Sequence, residues 1–186
     1  ASYVGHVQPR RSSMVAAETE GLVIRRLTDG GQSVRAGDLL FQLDNAPLKA
    51  SLQEALADFE LRQSNQHRSA ELLATDAVSA QDLWDDQYEL ARARAKRDGL
   101  KAQVTHLAVR APFAGHVIQT FTEVGQWVPR GGDIARIIST DTVRVYVNVP
   151  EHHISMLEVG AVATIDIAAL GGERVTGYIV AVLAEG

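Results

Sequence analysis

The sequence predicts a mixed α and β fold: a small β-sandwich split in two, an antiparallel two-helix coiled-coil hairpin inserted in the split, and part of a further β domain. Three observations carry this reading. Gly21–Leu43 recurs without gaps as Gly115–Ile137, at a constant offset of 94 residues. Asp44–His106, between the copies, is dominated by Ala, Leu, Gln, Glu and Arg. After Ile138 the pattern changes to strict alternation, with Val143, Val145, Val147 and Val149 separated by Arg144, Tyr146 and Asn148.

The repeat holds eight identities in 23 positions: Gly21/Gly115, Val23/Val117, Ile24/Ile118, Thr28/Thr122, Gly31/Gly125, Gln32/Gln126, Val34/Val128 and Gly37/Gly131. Unrelated segments of this composition share roughly one or two. Its glycines mark turns or close backbone approaches, and Val and Ile occupy strand-like positions between them. One copy alone is too small to bury a face. Two copies related by a pseudo-two-fold axis bury their apolar faces against each other, giving a sandwich of about 80 residues or fewer.

In the intervening segment, Asp44 or Asn45 is placed to cap a helix with Pro47 in its first turn. Strong helix formers then run without Gly or Pro to about Thr75. A rod of about 29 residues is roughly 43 Å long. Leu52, Leu56, Phe59, Ala70 and Leu73 trace its apolar seam, interrupted at Gln63 and Gln66. Ser79-Ala80-Gln81-Asp82 reads as a cap with an acid three residues on, which starts a second helix carrying Leu83, Leu90 and Val104. Glu54, Asp58 and Glu60 early in the first helix face Arg92, Arg94, Lys96, Arg97 and Lys101 late in the second only if the two run antiparallel. Trp84 and Tyr88, four apart, read as packing on the hairpin, and Trp127 as sandwich core or rim.

The C-terminal segment reads as a strand ended by Pro150, a short helix over His152–Leu157, and strands at Ala161–Ile167 and Val175–Val182 joined around Gly171-Gly172. Ser2–Val7 reads as a further strand. The expected division is therefore 19–44 plus 107–139 for the sandwich, 45–106 for the hairpin, and 1–18 plus 140–186 for the remaining β domain.

Composition excludes several functions. In 186 residues, 18 Lys+Arg against 23 Asp+Glu give a net charge of −5, and only 5% of residues are aromatic, so nucleic acid is not the expected partner. The absence of Cys removes disulfides, thiolate metal sites and thiol nucleophiles. There is no nucleophile elbow, P-loop, zinc-protease helix or dinucleotide fingerprint. Glu151-His152-His153 is the only local His cluster, and neighbours on a helix point apart, so no metal and no cofactor is expected.

The order of these parts resembles the periplasmic adaptor, or membrane fusion, protein family of bacterial efflux pumps. The resemblance is carried by Gly21-Leu22-Val23, by Gly31 to Leu40 with Asp44, and by Arg110-Ala111-Pro112-Phe113-Ala114-Gly115-His116-Val117, similar to the family's R-A-P-F-x-G-x-V string. It implies that the sandwich is lipoyl-like and that the C-terminal strands are part of a β-barrel domain. It also implies a non-enzymatic adaptor in the periplasm, bridging an inner-membrane transporter, of resistance-nodulation-division type, to an outer-membrane channel, and self-associating into a ring. A membrane anchor before Ala1 and a membrane-proximal domain after Gly186 are further expectations. Arg68-x-x-x-Leu72-x-x-x-x-x-x-Ser79 is similar to the family's hairpin-tip motif. That likeness implies that Arg68, Leu72 and Ser79 touch the outer-membrane channel. The same residues also have purely structural roles available, as dipole partner, tip closure and helix cap. The alternative within the family is an adaptor of an ABC-type exporter or a type I secretion system, whose hairpins are commonly longer. From another class, the alternative is a biotin or lipoyl carrier, but Lys49 lies inside the first helix rather than on a tight turn.

Overall fold

The computed structural model describes residues 2–75, 77–167 and 173–183. The chain divides into two compact units, Pro9–Val143 and Ala1–Gln8 with Arg144–Gly186.

The larger unit contains the sandwich and the hairpin. Its strands are β2 (Ser12–Ala16), β3 (Gly21–Arg26), β4 (Ser33–Val34), β5 (Leu39–Asp44), β6 (Ala108–Arg110), β7 (Gly115–Thr120), β8 (Trp127–Val128) and β9 (Asp133–Ile138), with β1 (Gly5–Pro9) preceding them. They form two four-stranded sheets, β2-β9-β7-β4 and β6-β5-β3-β8. Each copy of the repeat therefore lends one two-residue strand to the other copy's sheet. The lending is symmetric: Gly21 faces Val128 and Leu22 faces Trp127, while Val34 faces Gly115 and Ser33 faces His116. Hydrogen bonds obey the same two-fold relation. Gly31 N–H donates to Val117 O at 2.7 Å and Gly125 N–H to Val23 O at 2.8 Å. Both donors are glycines at φ +89°, a conformation that a side chain disfavours.

The core lies between these sheets. Phe41, Leu40, Leu43, Leu107, Ile134, Ile137, Val23 and Val117 are fully buried. Three repeat-related pairs, Val23/Val117, Leu40/Ile134 and Leu43/Ile137, supply six of these eight. The apolar faces of the copies thus close on each other, as the repeat requires.

Strand β2 departs from the expected division, which put residues 1–18 with the C-terminal strands. Ser12–Ala16 pairs antiparallel with β9 inside the sandwich. The physical reason is the symmetry itself. Ala17 exchanges hydrogen bonds with Gly131 and Gly132 in the way that Ala111 does with Gly37 and Asp38. Strand β2 is thus the two-fold mate of β6, and Val15/Val109 with Ala17/Ala111 extends the repeat backward.

Two helices, α1 (Ala46–Leu73) and α2 (Ala80–Thr105), form the hairpin. Asn45 caps α1, its side chain accepting from Leu48 N–H at 3.0 Å and donating to Glu20 O at 3.1 Å. The cap thereby fastens the helix to the sandwich. At 28 residues, α1 is a rod of roughly 42 Å. The helices are antiparallel, since Glu54 pairs with Lys96 at 3.8 Å, Arg62 with Glu89 at 4.0 Å and Ser69 with Asp86.

The seam is a heptad stripe that holds the expected Leu52, Phe59 and Leu73, with the expected Leu56 and Ala70 half-buried beside it. On α1 the sheltered positions run Leu48, Leu52, Ala55, Phe59, Arg62, Gln66, Ser69 and Leu73; on α2 they run Leu83, Asp86, Leu90, Ala93, Arg97, Leu100 and Val104. Steps alternate between three and four residues, as in a two-stranded coiled coil. The half towards the turn is polar, which is why the apolar pattern in the sequence loses the seam there. Of the expected charge pairs between helices, Glu54–Lys96 forms; Asp58 instead pairs with Arg62 of its own helix, and Arg94 and Arg97 pair with Asp98. Arg97 also lies over the Phe59 ring at 3.9 Å, covering the seam with its guanidinium.

In the smaller unit, β1 pairs with β10 (Val143–Val147), and β11 (Val162–Ile167) pairs antiparallel with β12 (Glu173–Tyr178). A four-residue helix, α3 (Glu151–Ile154), follows β10. The expected turn at Gly171-Gly172 lies outside the described residues.

Candidate functional site at the hairpin tip

The tip is built by the end of α1, the connection 74–79 and the start of α2. Thr75 N–H, Thr75 Oγ1 and Ala77 N–H all donate to Leu72 O, at 3.1, 2.9 and 3.0 Å. One carbonyl thus gathers the turn. Ser79 then opens α2 with a capping box: Asp82 N–H donates to Ser79 Oγ at 3.2 Å, and Ser79 N–H donates to Asp82 Oδ2 at 2.9 Å. The Ser79 hydroxyl adds a third bond to the same carboxylate at 2.7 Å.

These bonds from the Ser79 hydroxyl and N–H hold the Asp82 carboxyl below its ordinary value of 3.8. A depressed folded-state pKa stabilises the tip at neutral pH, and that contribution disappears as pH falls below 3.8 through the folded value. Ser79→Ala, which keeps the backbone N–H bond but loses the hydroxyl, is expected to reduce this acid sensitivity of the turn and to cost about 1 kcal/mol, as an N-cap loss does. Amide hydrogen exchange at Asp82 and Leu83, measured at pH 3 and pH 7, checks it.

Arg68 and Leu72 are one helical turn apart on the same face of α1 and both are exposed, Leu72 by 38%. Leu72 therefore does not close the tip; the half-buried apolar residues at this end are Leu73, Val78 and Leu83. Ser79 is exposed at the start of the other helix. The structure places all three motif residues at the far end of the rod and leaves each reachable from solvent. It adds two that the sequence reading assigned to packing: Trp84 and Tyr88 are 64% and 72% exposed. The heptad phase is the signal that finds them, because the Leu83–Asp86–Leu90 stripe turns positions 84 and 88 outward.

At the root of the hairpin, His106 Nδ1 lies 2.7 Å from Glu18 of the sandwich. Lys49 is in the first turns of α1 and pairs with Asp44, a poor place for a carrier lysine. Among the described residues, no group of three or more His, Asp or Glu is arranged to hold a metal ion. The His152 and His153 rings lie 4.1 Å apart between centres, tilted by 50° to each other, with Tyr3 OH 2.6 Å from His153 Nδ1. No described helix is long and apolar enough to cross a membrane.

Comparison with known proteins decides the family. Residues 11–140 match the family described as "RND MFP, barrel-sandwich hybrid domain". The chain belongs to that family, the periplasmic adaptors of resistance-nodulation-division efflux pumps. Relatives agree. An uncharacterized protein of Haemophilus influenzae is 29% identical over 178 residues, covering 96% of this chain and 47% of that protein. The multidrug resistance protein MdtA of Photorhabdus laumondii is 30% identical over 169 residues, covering 82% of this chain and 42% of that protein. The chain therefore spans less than half the length of these relatives. Among solved structures, a MacA–MexA chimera carrying the Pseudomonas aeruginosa MexA α-hairpin superposes with a TM-score of 0.86, at 24% identity over 96% of this chain and 66% of the other. That likeness shows that the family's fold is the fold of this chain.

Proposed function

We propose that the chain works as a periplasmic adaptor subunit of a tripartite efflux pump, associated with the inner membrane of a Gram-negative bacterium. It bridges an inner-membrane transporter of resistance-nodulation-division type to an outer-membrane channel, and it self-associates into a ring. The observation that carries this reading is a clasped sandwich opened at its crossover by a stiff hairpin, in a chain whose family consists of such adaptors. A long rod with a polar seam and reachable side chains at its end suits a docking arm. Arg68, Leu72 and Ser79 form the end that meets the channel, with Trp84 and Tyr88 beside them. The unit Ala1–Gln8 with Arg144–Gly186 is part of the β-barrel domain.

Replacing residues 46–105 by a short turn tests the reading in cells that carry the rest of the pump. The sandwich is expected to fold, because every core residue except those of the hairpin seam lies outside the excised segment. The inner-membrane transporter is then still recovered with the adaptor, and the outer-membrane channel is lost. Undiminished recovery of the channel contradicts the assignment of the hairpin as the bridge.

A further inference from the structure

The two copies of the repeat share a backbone but differ at their outer corners. The offset of 94 maps Leu22 onto His116, Ser33 onto Trp127 and Gly30 onto Val124. At the first corner, where β3 meets β8, large apolar side chains stand in solvent: Trp127 is 55% exposed, Val124 57%, Ile24 42% and Leu22 39%. At the second corner, where β4 meets β7, two of these four positions carry small residues, while Leu22 is matched by half-buried His116 and Ile24 by Ile118, itself 50% exposed. Ser33 stands in the place of the tryptophan and Gly30 in the place of the valine. What remains there is an open cleft of about 390 Å³, lined by Arg11, Ser33, Phe113, Gly115, His116 and Ser139 among others.

The cleft carries groups that an indole ring seeks. The Arg11 guanidinium lies 5.9 Å from the centre of the Phe113 ring, so a cation and an aromatic edge share one wall. Ser33 Oγ, 2.9 Å from His116 Nε2, has a lone pair left for an indole N–H, which is a donor only. Knob and cleft sit at two-fold-related corners of a single compact unit, so one chain cannot seat its own Trp127. Occupancy requires a second copy. A scattered exposed apolar residue needs no explanation, but Leu22 and Trp127, paired across β3 and β8 and both exposed, form more than a scattered residue.

We propose that Trp127 of one copy seats in the cleft beside Ser33 and His116 of the next, head to tail. This deepens the ring expected of an adaptor and rests on that reading. The contact is heterologous, leaving a free knob at one end and a free cleft at the other, so association continues until the ring closes.

The chain contains no Cys, so introduced thiols are the only ones present. Trp127→Cys and Ser33→Cys are made separately, both at exposed positions, and a short bifunctional thiol reagent is applied to each alone and to the two mixed. A dimer only in the mixture, and a ladder from the double variant, is the expected result. Dimers of Trp127→Cys alone, which report a two-fold contact, overturn the proposal. So does the absence of any mixed product; recovery of the outer-membrane channel with the same variants then shows that the contact has failed and the adaptor reading has not. A second measurement is independent of crosslinking. Trp127→Ala is expected to weaken self-association about 30-fold in sedimentation equilibrium, as loss of an aromatic anchor does. Ser33→Trp, which fills the cleft with the residue its repeat mate already carries, does the same; unchanged association in both rejects the contact.

Discussion

Phe41→Ala is expected to destabilise the sandwich by about 3–5 kcal/mol, the cost of deleting a fully buried phenyl ring. Phe41 is 0% exposed and lies on β5 between Arg26 of β3 and Val109 of β6. Its repeat mate is Ala135, also 0% exposed. The symmetric core is therefore filled asymmetrically, one large ring reaching into space that a methyl group leaves. Against a total of about 5–15 kcal/mol for a domain, the loss is severe. With an m-value of about 2 kcal/mol/M for a unit of this size, the urea midpoint falls by about 2 M. Trp127 fluorescence reports the sandwich and Trp84 the hairpin, so variants retaining one Trp each show which part melts. A shift below about 0.5 M contradicts the placement of Phe41 at the centre of the core.

Much of this architecture was legible in the residues because symmetry is legible. Eight identities without a gap describe two backbones that must fold alike, and the clasp of β4 and β8 follows once each copy needs a partner face. The caps were legible too, since Asn45 and Ser79 act through their own side chains on the next turn. Strand β2 was less so. Its kinship to β6 rests on Val15/Val109 and Ala17/Ala111, two matches too few to stand above chance. The seam near the tip was hidden for a different reason. Arg62 and Ser69 are paired with the other helix and Gln66 is half-buried between them, and hydrophobic periodicity does not see such polar positions. Reading Trp84 and Tyr88 as packed followed from the same gap. The cleft at Ser33 was present in the aligned copies as Ser against Trp, but a small residue opposite a large one acquires meaning only when both corners have a shape.

The largest functional effect is expected at Arg68. It is exposed near the end of α1, one turn from exposed Leu72, and outside the heptad seam. Reversal of its charge therefore leaves the packing of the helices unchanged, and helicity by circular dichroism should equal that of the parent chain. Arg is among the residues whose loss from a docking surface weakens binding most, about 30-fold or more for an anchor, and an acid in its place adds repulsion wherever the guanidinium met a carboxylate. Arg68→Asp is thus expected to reduce export to the level of cells lacking the adaptor. The most direct measurement is crosslinking from Leu72→Cys to the outer-membrane channel in cells, with Arg68 intact and with Arg68→Asp. An adduct with the channel that disappears on charge reversal is the predicted result; no adduct with Arg68 intact, or equal adducts in both, contradicts the docking role of the tip.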